Sequence, residues 1–320
     1  MKKSVFLLAL YLLTACTTDN LEINSIMSWK QLSKFPGTAR ASASSFVVGD
    51  RAYVCLGRTG ERAGFLKELW EYNSTMDSWS RKADFPGAAR VKGIAGVIAD
   101  KAYVGLGCVS AYNGNQFNDF WEYDNFKNSW TQKADFPGKG KTDSFCTVVN
   151  GCLYTTGGFT ATGFNAETYK YDPKLKSWTK MADCPVDYAC TAGFTIDNDF
   201  YVGSGYNAGN HKDFYCYHTL TDSWSRIADV PEGRILSKGT SINGKGYVMM
   251  GRYWHGSLNG GHLLSDVFEY VPLSNKWTRA GDFQGGARQN MVVFTINGKG
   301  YVVGGEDDVE RKGDVWVFEP

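Results

Sequence analysis

The fold is decided by the stretch Asp77-Ser78-Trp79-Ser80-Arg81-Lys82-Ala83-Asp84-Phe85-Pro86-Gly87-Ala88-Ala89-Arg90, because close variants of it recur along the chain. Each copy has a tryptophan after Ser or Lys, then all or part of an Ala-Asp-Phe-Pro-Gly segment, and most copies end in arginine or lysine. The tryptophans lie 46 to 53 residues apart, at Trp29, Trp79, Trp130, Trp178, Trp224 and Trp277. A period of about 50 residues that survives insertions is the signature of a repeat architecture.

Each period reads as four short β-strands, here called a, b, c and d in chain order, with no helical pattern between them. In the first period, residues 42–48 and 52–57 form an apolar pair around a tight turn, residues 69–72 form strand c and residues 78–81 form strand d. Three later a–b turns carry Asn-Gly, the dipeptide that best tolerates two positive φ angles. They are Asn150-Gly151, Asn243-Gly244 and Asn297-Gly298.

The repeats predict a closed ring. Five complete units lie between Arg40 and Trp277, and only three strands follow Arg288. The missing strand d is residues 28–32, at the other end of the chain. We therefore expect an all-β, six-bladed propeller over residues 26–320 whose last blade is closed by the N-terminal strand. Closure of this kind removes the unpaired edges that would otherwise invite aggregation.

The first residues predict an export signal. Lys2 and Lys3 precede an apolar segment, residues 5–13, that is too short to span a bilayer. The following Leu-Thr-Ala-Cys16 resembles the lipobox of bacterial lipoproteins, which implies a signal peptide over residues 1–16, lipidation of Cys16 and a polar tether over residues 17–25. Because Thr17 is not an aspartate, the resemblance favours the outer membrane, with its periplasmic or outer side left open. An ordinary signal peptide ending near Ala15 is the alternative.

Charge and cysteine usage narrow the partners. The formal net charge is +1 with no basic run, so we expect no nucleic acid partner. Seven cysteines remain after Cys16, and an odd number cannot all pair within one exported chain. A two-residue turn would place Cys152 opposite Val149 rather than opposite Cys146. Cys184 and Cys190 remain an open pair, and most of the seven read as small buried hydrophobes.

At the level of the repeat, the chain resembles the kelch family. The shared features are the tight a–b turn, a glycine ending strand b, an acidic residue four positions before the strand-c aromatic, and the strand-d tryptophan. At the end of strand b, Gly-Gly itself stands only at Gly157-Gly158 and Gly304-Gly305, and pairs such as Leu56-Gly57 replace it in the other blades. The resemblance covers nearly the whole chain after the tether and implies a kelch propeller. Six repeats in phase make it specific.

A residue type present in every blade serves the blade, whereas a position that varies is free to serve a ligand. By this rule the acidic residues before strand c and the strand-d tryptophans are structural. We expect the carboxylates to bond backbone at the start of strand c and the tryptophans to pack between blades. The acidic residues are Glu68, Asp119, Glu167, Asp213, Asp266 and Asp314.

Two rings of side chains are predicted at one mouth of the central channel, where strand a begins and strand b ends. The cationic ring has two open interpretations, ion pairing with acidic neighbours between blades or capture of an anion. Its members are Arg40, Arg90, Lys141, Tyr188, Arg234 and Arg288. The variable ring differs between blades and is the better candidate for specificity. Its members are Arg58, Cys108, Phe159, Tyr206, Arg252 and Glu306.

The variable ring combines groups that suit an acidic sugar. Phe159 and Tyr206 provide faces for the apolar side of a sugar ring, and Glu306 is the single carboxylate among basic neighbours. The loop from Arg252 to residue 265 rises from the same mouth. His255 and His262 on that loop and His211 in the preceding blade have no metal-type spacing, so we expect no metal and no cofactor.

Three functions of different classes follow. An exported six-bladed kelch chain resembles the bacterial N-acetylneuraminate epimerases (mutarotases), which equilibrate sialic acid anomers. That resemblance implies an isomerase in which Glu306 is the acid–base residue and Arg40, Arg234 and Arg288 hold the substrate carboxylate. The loops here are shorter than in that family, and no second catalytic residue is matched.

The second function is a non-catalytic module that binds a glycan or a protein, since fold alone does not fix function. The third is copper oxidase chemistry as in galactose oxidase, which also has kelch-type repeats. A seven-bladed ring and a copper site with two histidines are typical of that family, and neither is expected here. The sequence therefore favours an envelope-anchored kelch propeller that binds an anionic, sialic acid-like carbohydrate, with catalysis left open.

Overall fold

The computed structural model describes residues 27–60, 64–109, 116–256 and 260–320. The predicted signal peptide, Cys16 and the predicted tether lie outside these residues. The strands form six four-stranded antiparallel sheets, and in the described residues the only helical segment is one turn of 3-10 helix, Pro272–Ser274. Within the same ranges, no helix has the length and apolar character needed to cross a membrane.

Each sheet is one blade, with strands a to d in order from the channel outward. Blade 1 comprises Ser44–Val48, Arg51–Cys55, Leu69–Asn73 and Ser78–Lys82. Blade 2 comprises Ile94–Ile98, Lys101–Gly105, Phe120–Asp124 and Ser129–Gln132. Blade 3 comprises Phe145–Val149, Cys152–Thr156, Tyr169–Asp172 and Ser177–Lys180. Blade 4 comprises Ala192–Ile196, Asp199–Gly203, Phe214–His218 and Ser223–Ile227. Blade 5 comprises Lys238–Ile242, Lys245–Met249, Asp266–Val271 and Lys276–Asp282. Blade 6 comprises Val292–Ile296, Lys299–Val303, Val315–Glu319 and Ser28–Gln31.

Two additional small β-sheets form within the loops. Lys141–Thr142, Phe159–Thr160 and Gly163–Phe164 form a small three-stranded ribbon, and Arg252–Tyr253 pairs with His262–Leu263. The burial pattern follows from the sequence, since strands b are buried almost throughout and strands d expose most of their polar residues. The six-bladed propeller expected from the repeats is confirmed.

The ring closes as expected. Ser28–Gln31 pairs antiparallel with Val315–Glu319, so the N-terminal strand is strand d of blade 6. The innermost strand of each blade contacts that of the next, and Val292–Ile296 contacts Ser44–Val48. The amide of Gly305 in blade 6 donates to the carbonyl of Arg40 at 3.0 Å, which joins the last blade to the first.

The glycine that ends strand b has two reasons to be glycine. In blade 4, Gly205 has φ +102°, and an added Cβ would lie 2.7 Å from the carbonyl oxygen of Ala189. Its amide donates to the carbonyl of Arg234 in the next blade at 2.8 Å. The preceding residue, Ser204, also has positive φ but tolerates a side chain. Strict Gly-Gly is therefore unnecessary, and a single glycine per blade suffices.

The opening motif joins neighbouring blades. The Trp130 indole N–H donates to the carbonyl of Ala83 at 2.9 Å, and the side chain of Asn128 accepts from the amide of Ala83 at 2.8 Å. The Tyr123 hydroxyl donates to the same Asn128 oxygen at 2.8 Å. Equivalent tryptophan bonds form at Trp178, Trp224 and Trp277. These tryptophans thus pack between blades and satisfy their N–H there.

None of the seven described cysteines forms a disulfide. Cys152 lies opposite Val149 and Cys146 opposite Thr155, which is the register expected from the Asn-Gly turn. Burial raises the pKa of the Cys55 thiol to about 12, and that of the Cys146 thiol likewise. These cysteines act as small apolar side chains.

Candidate functional site

At the mouth of the channel, the residue that follows strand b forms isolated β-bridges with the segment entering strand a and with the b–c loop. Arg58 lies between Ala41, on the segment that enters strand a, and Phe65, on the b–c loop. Glu306 lies in the same way between Gln289 and Arg311. The other blades repeat the arrangement, so the variable ring sits beside the cationic ring at one end of the channel, as the strand order requires.

The arginines of the cationic ring are buried inside their own blades. Arg234 is 0% exposed, and its Nη1 and Nη2 donate to the two carboxylate oxygens of Asp266 at 2.6 and 2.9 Å. Nη1 also donates to the carbonyl of Met250, and Nε donates to the carbonyl of Glu232, both at 3.2 Å. The guanidinium is therefore supplied with acceptors from the protein itself.

The same pattern holds around the ring. Arg40 donates to Glu68, Arg90 to Asp119 and Arg288 to Asp314, and each also donates to a backbone carbonyl near the end of strand b. At the remaining two positions, Lys141 donates to the carbonyl of Glu167 at 3.3 Å and the Tyr188 hydroxyl donates to Asp213 at 3.2 Å.

Both expectations for these residues need revision. The geometry favours the structural interpretation of the cationic ring, but the ion pairs lie within a blade rather than between blades. The acidic residues before strand c mainly accept from this ring, instead of from backbone at the start of strand c. Because the guanidinium groups are enclosed and paired, Arg40, Arg90, Arg234 and Arg288 offer no accessible donors to a ligand.

The variable ring contains an ionic cluster at blades 6 and 1. The Glu306 carboxylate is 7% exposed and accepts from Arg58 Nη2 at 2.7 and 2.9 Å. Asn290 donates to the same carboxylate at 2.8 Å, and Arg311 Nη2 lies 3.5 Å from it. The buried Arg311 Nε has no acceptor among the described residues. Glu306 is thus held in one orientation by two hydrogen-bond donors, Arg58 and Asn290, with the Arg311 cation beside it.

Arg252 extends this cluster toward blade 5. Its Nε donates to the side-chain oxygen of Gln289 at 3.0 Å, and its Nη2 pairs with Asp308. Gln289 is the bridge partner of Glu306, so the two groups are neighbours along the mouth. We call Arg58, Arg252, Glu306 and Arg311 the ionic arc.

Aromatic side chains occupy the mouth at blades 3 to 5. The Phe159 and Phe164 rings lie 5.2 Å apart, Phe164 and Tyr206 lie 5.6 Å apart, and Tyr206 and Trp254 lie 5.1 Å apart. Phe159 is 36% exposed, and the other three are half-buried. We call these four residues the aromatic arc. Arg252, two residues before Trp254, joins it to the ionic arc.

A third ring, which the sequence pattern did not predict, lies two residues after the cationic ring. All six members have positive φ between 56° and 59°, and they line the neck of the channel. They are Ser42, Lys92, Asp143, Cys190, Leu236 and Asn290. Lys92 Nζ donates to Asp143 at 2.8 Å, and Asn290 connects this ring to Glu306. The equal spacing from the cationic ring was the available signal.

Lys238 faces the same neck from the start of strand a in blade 5. Its side chain is solvent-accessible within the channel, yet enclosure by the channel walls lowers the pKa of its ammonium group. The Asp143 carboxylate opposes this shift and the Lys92 cation adds to it. The Ser42 and Ser237 hydroxyls at this neck are buried and have no hydrogen-bond partner among the described residues. The neck therefore mixes cations, one carboxylate and unused hydroxyls.

The channel is narrow. The cavity between the innermost strands measures about 160 Å³, with a further 40 Å³ at the neck. Drug-sized ligand pockets measure about 300–1,000 Å³. A ligand of that size would therefore rest at the mouth, against the two arcs, and only a small group would reach the neck.

Among the described residues, the three loop histidines form no common metal-type cluster, although the His255 and His262 rings lie 6.0 Å apart. His211 stacks on Tyr188 at 4.0 Å and bonds the carbonyl of Asn207, while His255 and His262 lie with Tyr253 on the next loop. Across the described ranges, the one group with potential metal-binding geometry lies elsewhere, in blade 4. Cys108, in the variable ring, is buried.

Comparisons with known proteins agree with this architecture. Residues 42–251 match the family described as the KLHDC2/KLHL20/DRC7 Kelch-repeats domain. The chain is 24% identical to Kelch-like protein 35 of Mus musculus over 205 residues, 63% of this chain and 33% of that protein. It is 33% identical to N-acetylneuraminate epimerase of Escherichia coli (strain K12) over 87 residues, 24% of this chain and 23% of that protein.

The chain thus spans about a third of the first of these relatives and about a quarter of the second. A solved structure described as "Structure of YjhT" superposes with a TM-score of 0.77 at 19% identity. The superposition covers 89% of this chain and 96% of that one. This likeness establishes the shared fold.

Proposed function

Since the chain belongs to the KLHDC2/KLHL20/DRC7 Kelch-repeats domain family and is related over part of its length to N-acetylneuraminate epimerase, we propose that its mouth binds an anionic carbohydrate of the sialic acid type. The observation that carries the proposal is the placement of the aromatic arc and the ionic arc around one opening. Each arc supplies the chemistry that the other lacks.

The ionic arc is suited to a carboxylate. Arg252 is 15% exposed and Arg58 14%, so both reach solvent, unlike the enclosed arginines of the cationic ring. Guanidinium groups bind carboxylates through paired N–H donors. Arg311, 19% exposed, adds a third guanidinium group beside Glu306. A sugar carboxylate would compete with Asp308 for Arg252 or fill the donors that remain.

The aromatic arc is suited to the rest of the sugar. The Phe159, Tyr206 and Trp254 rings offer apolar faces, and the Tyr206 hydroxyl adds a polar group beside them. Because the arc spans three blades, it provides a surface as long as a monosaccharide with its side chain. An acidic sugar would then lie across the mouth with its carboxylate toward blades 5, 6 and 1.

Catalysis of anomer exchange is the second part of the proposal, and Glu306 is its acid–base residue. The Arg58 and Asn290 contacts fix the orientation of the carboxylate beside the arginines that would hold the substrate. Ring opening of a sialic acid requires removal of the anomeric hydroxyl proton and protonation of the ring oxygen. The reverse transfers reclose the ring on the other face.

Binding is tested by calorimetry with N-acetylneuraminic acid and with its uncharged methyl ester. Arg252→Ala should weaken binding of the acid about 10- to 100-fold, as expected for loss of a charged hydrogen bond, and leave the ester unchanged. Tyr206→Ala should weaken both ligands equally. Arg279→Ala is the matched control, because Arg279 pairs with Asp282 away from the mouth.

Equal affinity of the native protein for acid and ester would refute the role of the ionic arc. Catalysis is tested by NMR exchange between the two anomers. We expect the native protein to accelerate exchange and Glu306→Gln to slow it about 10²- to 10⁴-fold, with binding retained. If the native protein binds the acid without accelerating exchange, the protein is a sialic acid-binding module rather than an isomerase.

We further propose that Cys16 carries a lipid that anchors the protein in the bacterial envelope, in the outer membrane, with residues 17–25 as a tether. The support is the lipobox-like sequence before Cys16. A clickable palmitate analogue should label the native protein and the control Cys152→Ser in growing bacteria but not Cys16→Ala. Equal labelling of Cys16→Ala would contradict the anchor.

A further inference from the structure

Three side chains of different chemistry meet at the end of blade 4 remote from the mouth. His218 Nδ1 lies 2.8 Å from Asp199 Oδ2, and Cys216 Sγ lies 3.8 Å from the same oxygen and 3.9 Å from Nδ1. Cys216 and His218 alternate along strand c, so both point to one side of the sheet. Asp199 is paired with His218 across strands b and c.

The cluster is a departure from the repeat. In blades 1, 2 and 5 the tyrosine of strand b donates to a glutamate of strand c, as Tyr53 does to Glu71 at 2.6 Å. In blade 4 the tyrosine is Tyr201, and Cys216 replaces the glutamate.

Charges at the neighbouring position are reversed as well. Strand b begins with a basic residue in blades 1, 2, 5 and 6. In blade 2 this residue is Lys101, which pairs with Asp124 at 2.7 Å. In blade 4 the acidic Asp199 stands first, and His218 takes the opposite place. The glutamate is present in three of the other five blades and the base in four, so neither position is required by the blade. Two such substitutions side by side bring a thiol, an imidazole and a carboxylate together.

The spacing matches a zinc ion. Zinc bonds of about 2.0 Å to nitrogen and oxygen and about 2.3 Å to sulfur, at tetrahedral angles, place the donor atoms about 3.3 to 3.6 Å apart. The measured separations of 2.8, 3.8 and 3.9 Å bracket these values, so rotamer adjustments of about half an ångström would seat the ion.

The surroundings also suit a metal ligand. His218 Nε2 lies 2.9 Å from the hydroxyl of Ser225, a contact that orients the ring so that Nδ1 faces Asp199 and Cys216. Metal-binding histidines ordinarily use their second ring nitrogen in this way. His218 and Asp199 are 39% and 30% exposed, so an ion can enter from solvent.

We propose that Asp199, Cys216 and His218 form a zinc site that joins strands b and c of blade 4, with a fourth position open to water. Nitrogen, sulfur and oxygen donors together are typical of zinc. The site is independent of the sugar-binding proposal, because it lies at the opposite end of the strands from the mouth.

The experiment uses untagged protein and Co²⁺ as a spectroscopic probe, followed by Zn²⁺ displacement. We expect one equivalent of Co²⁺ to produce a thiolate-to-cobalt charge-transfer band and tetrahedral visible bands, both abolished by Zn²⁺. Cys216→Ser should remove the charge-transfer band. Ser225→Ala should weaken zinc affinity about 10- to 100-fold without removing the band, as loss of the outer hydrogen bond predicts.

Cys152→Ser is the matched control, since Cys152 lies at the start of strand b in blade 3 and should leave the spectrum unchanged. His218→Gln and Asp199→Asn alter more exposed positions and keep the test valid if Cys216→Ser fails to fold, as judged by circular dichroism. Absence of the charge-transfer band in the native protein, or its persistence in folded His218→Gln and Asp199→Asn, would overturn the site. The cluster would then be a hydrogen-bonded His–Asp pair.

Discussion

Replacing Arg234 by alanine should destabilise the propeller without affecting ligand affinity. The side chain is 0% exposed and links the segment entering blade 5 to Asp266, Met250 and Glu232 through four hydrogen bonds of 2.6 to 3.2 Å. Truncation would leave the Asp266 carboxylate, 12% exposed, without its partner.

The expected loss follows from that environment. Removing one partner of a buried ion pair costs about 3–5 kcal/mol, mainly because the other charge stays buried and unpaired. The exposed pair formed by Arg226 and Asp229 is the matched control. Arg226 also contacts both carboxylate oxygens of Asp229, at 2.8 and 3.1 Å, yet is 60% exposed. Its truncation should cost about 0–1 kcal/mol.

The free energies of unfolding are measured by urea titration, followed by tryptophan fluorescence and circular dichroism. Ligand affinity is measured on the folded fraction by calorimetry. A loss below about 1 kcal/mol for Arg234→Ala, indistinguishable from Arg226→Ala, would refute the structural role. So would an Arg234→Ala protein of native stability that no longer binds the sugar acid, since that result would return the cationic ring to ligand binding.

Two further predictions concern the scaffold. Gly205→Ala should lower the free energy of unfolding in urea by about 1–3 kcal/mol, because the φ of +102° and the close Ala189 carbonyl both exclude a Cβ. Gly209→Ala is the control and should be near neutral, because open space surrounds that position. Equal effects of the two substitutions would contradict the backbone argument. Burial lowers the pKa of Lys141 to about 7. Between about pH 7 and 10 the unfolded chain holds more protons at this residue, so native stability should rise with pH relative to Lys141→Met. A constant difference between the two proteins across that range would disprove the shift.

The fold could be predicted from the sequence because each blade repeats the same turn, strand and tryptophan pattern. The Asn-Gly turns set the a–b register, as the pairing of Val149 with Cys152 shows. The count of strands required the N-terminal segment to complete blade 6, and Ser28–Gln31 does so. These inferences use neighbouring residues or a period, both of which a single chain displays directly.

The site was harder to predict because charge does not reveal burial. Arg234 and Arg252 are both arginines near the mouth, but one is enclosed by Asp266 and the other reaches solvent. The contact between Asn290 and Glu306 joins residues that the repeat places in different rings. The blade 4 cluster combines two strands and three residue types, so no single spacing marks it.

The closure of blade 6 also imposes an order on folding. Ser28–Gln31 leaves the ribosome first among the described strands, yet its pairing partner Val315–Glu319 is made last. Blades 1 to 5 are each continuous in sequence, whereas blade 6 pairs the first and the last of the described strands, so its closure needs nearly the whole described chain. Contacts this distant along a chain form late because loop closure must precede them. We therefore expect the strand pairing that closes blade 6 to form after the strand pairings within blades 1 to 5.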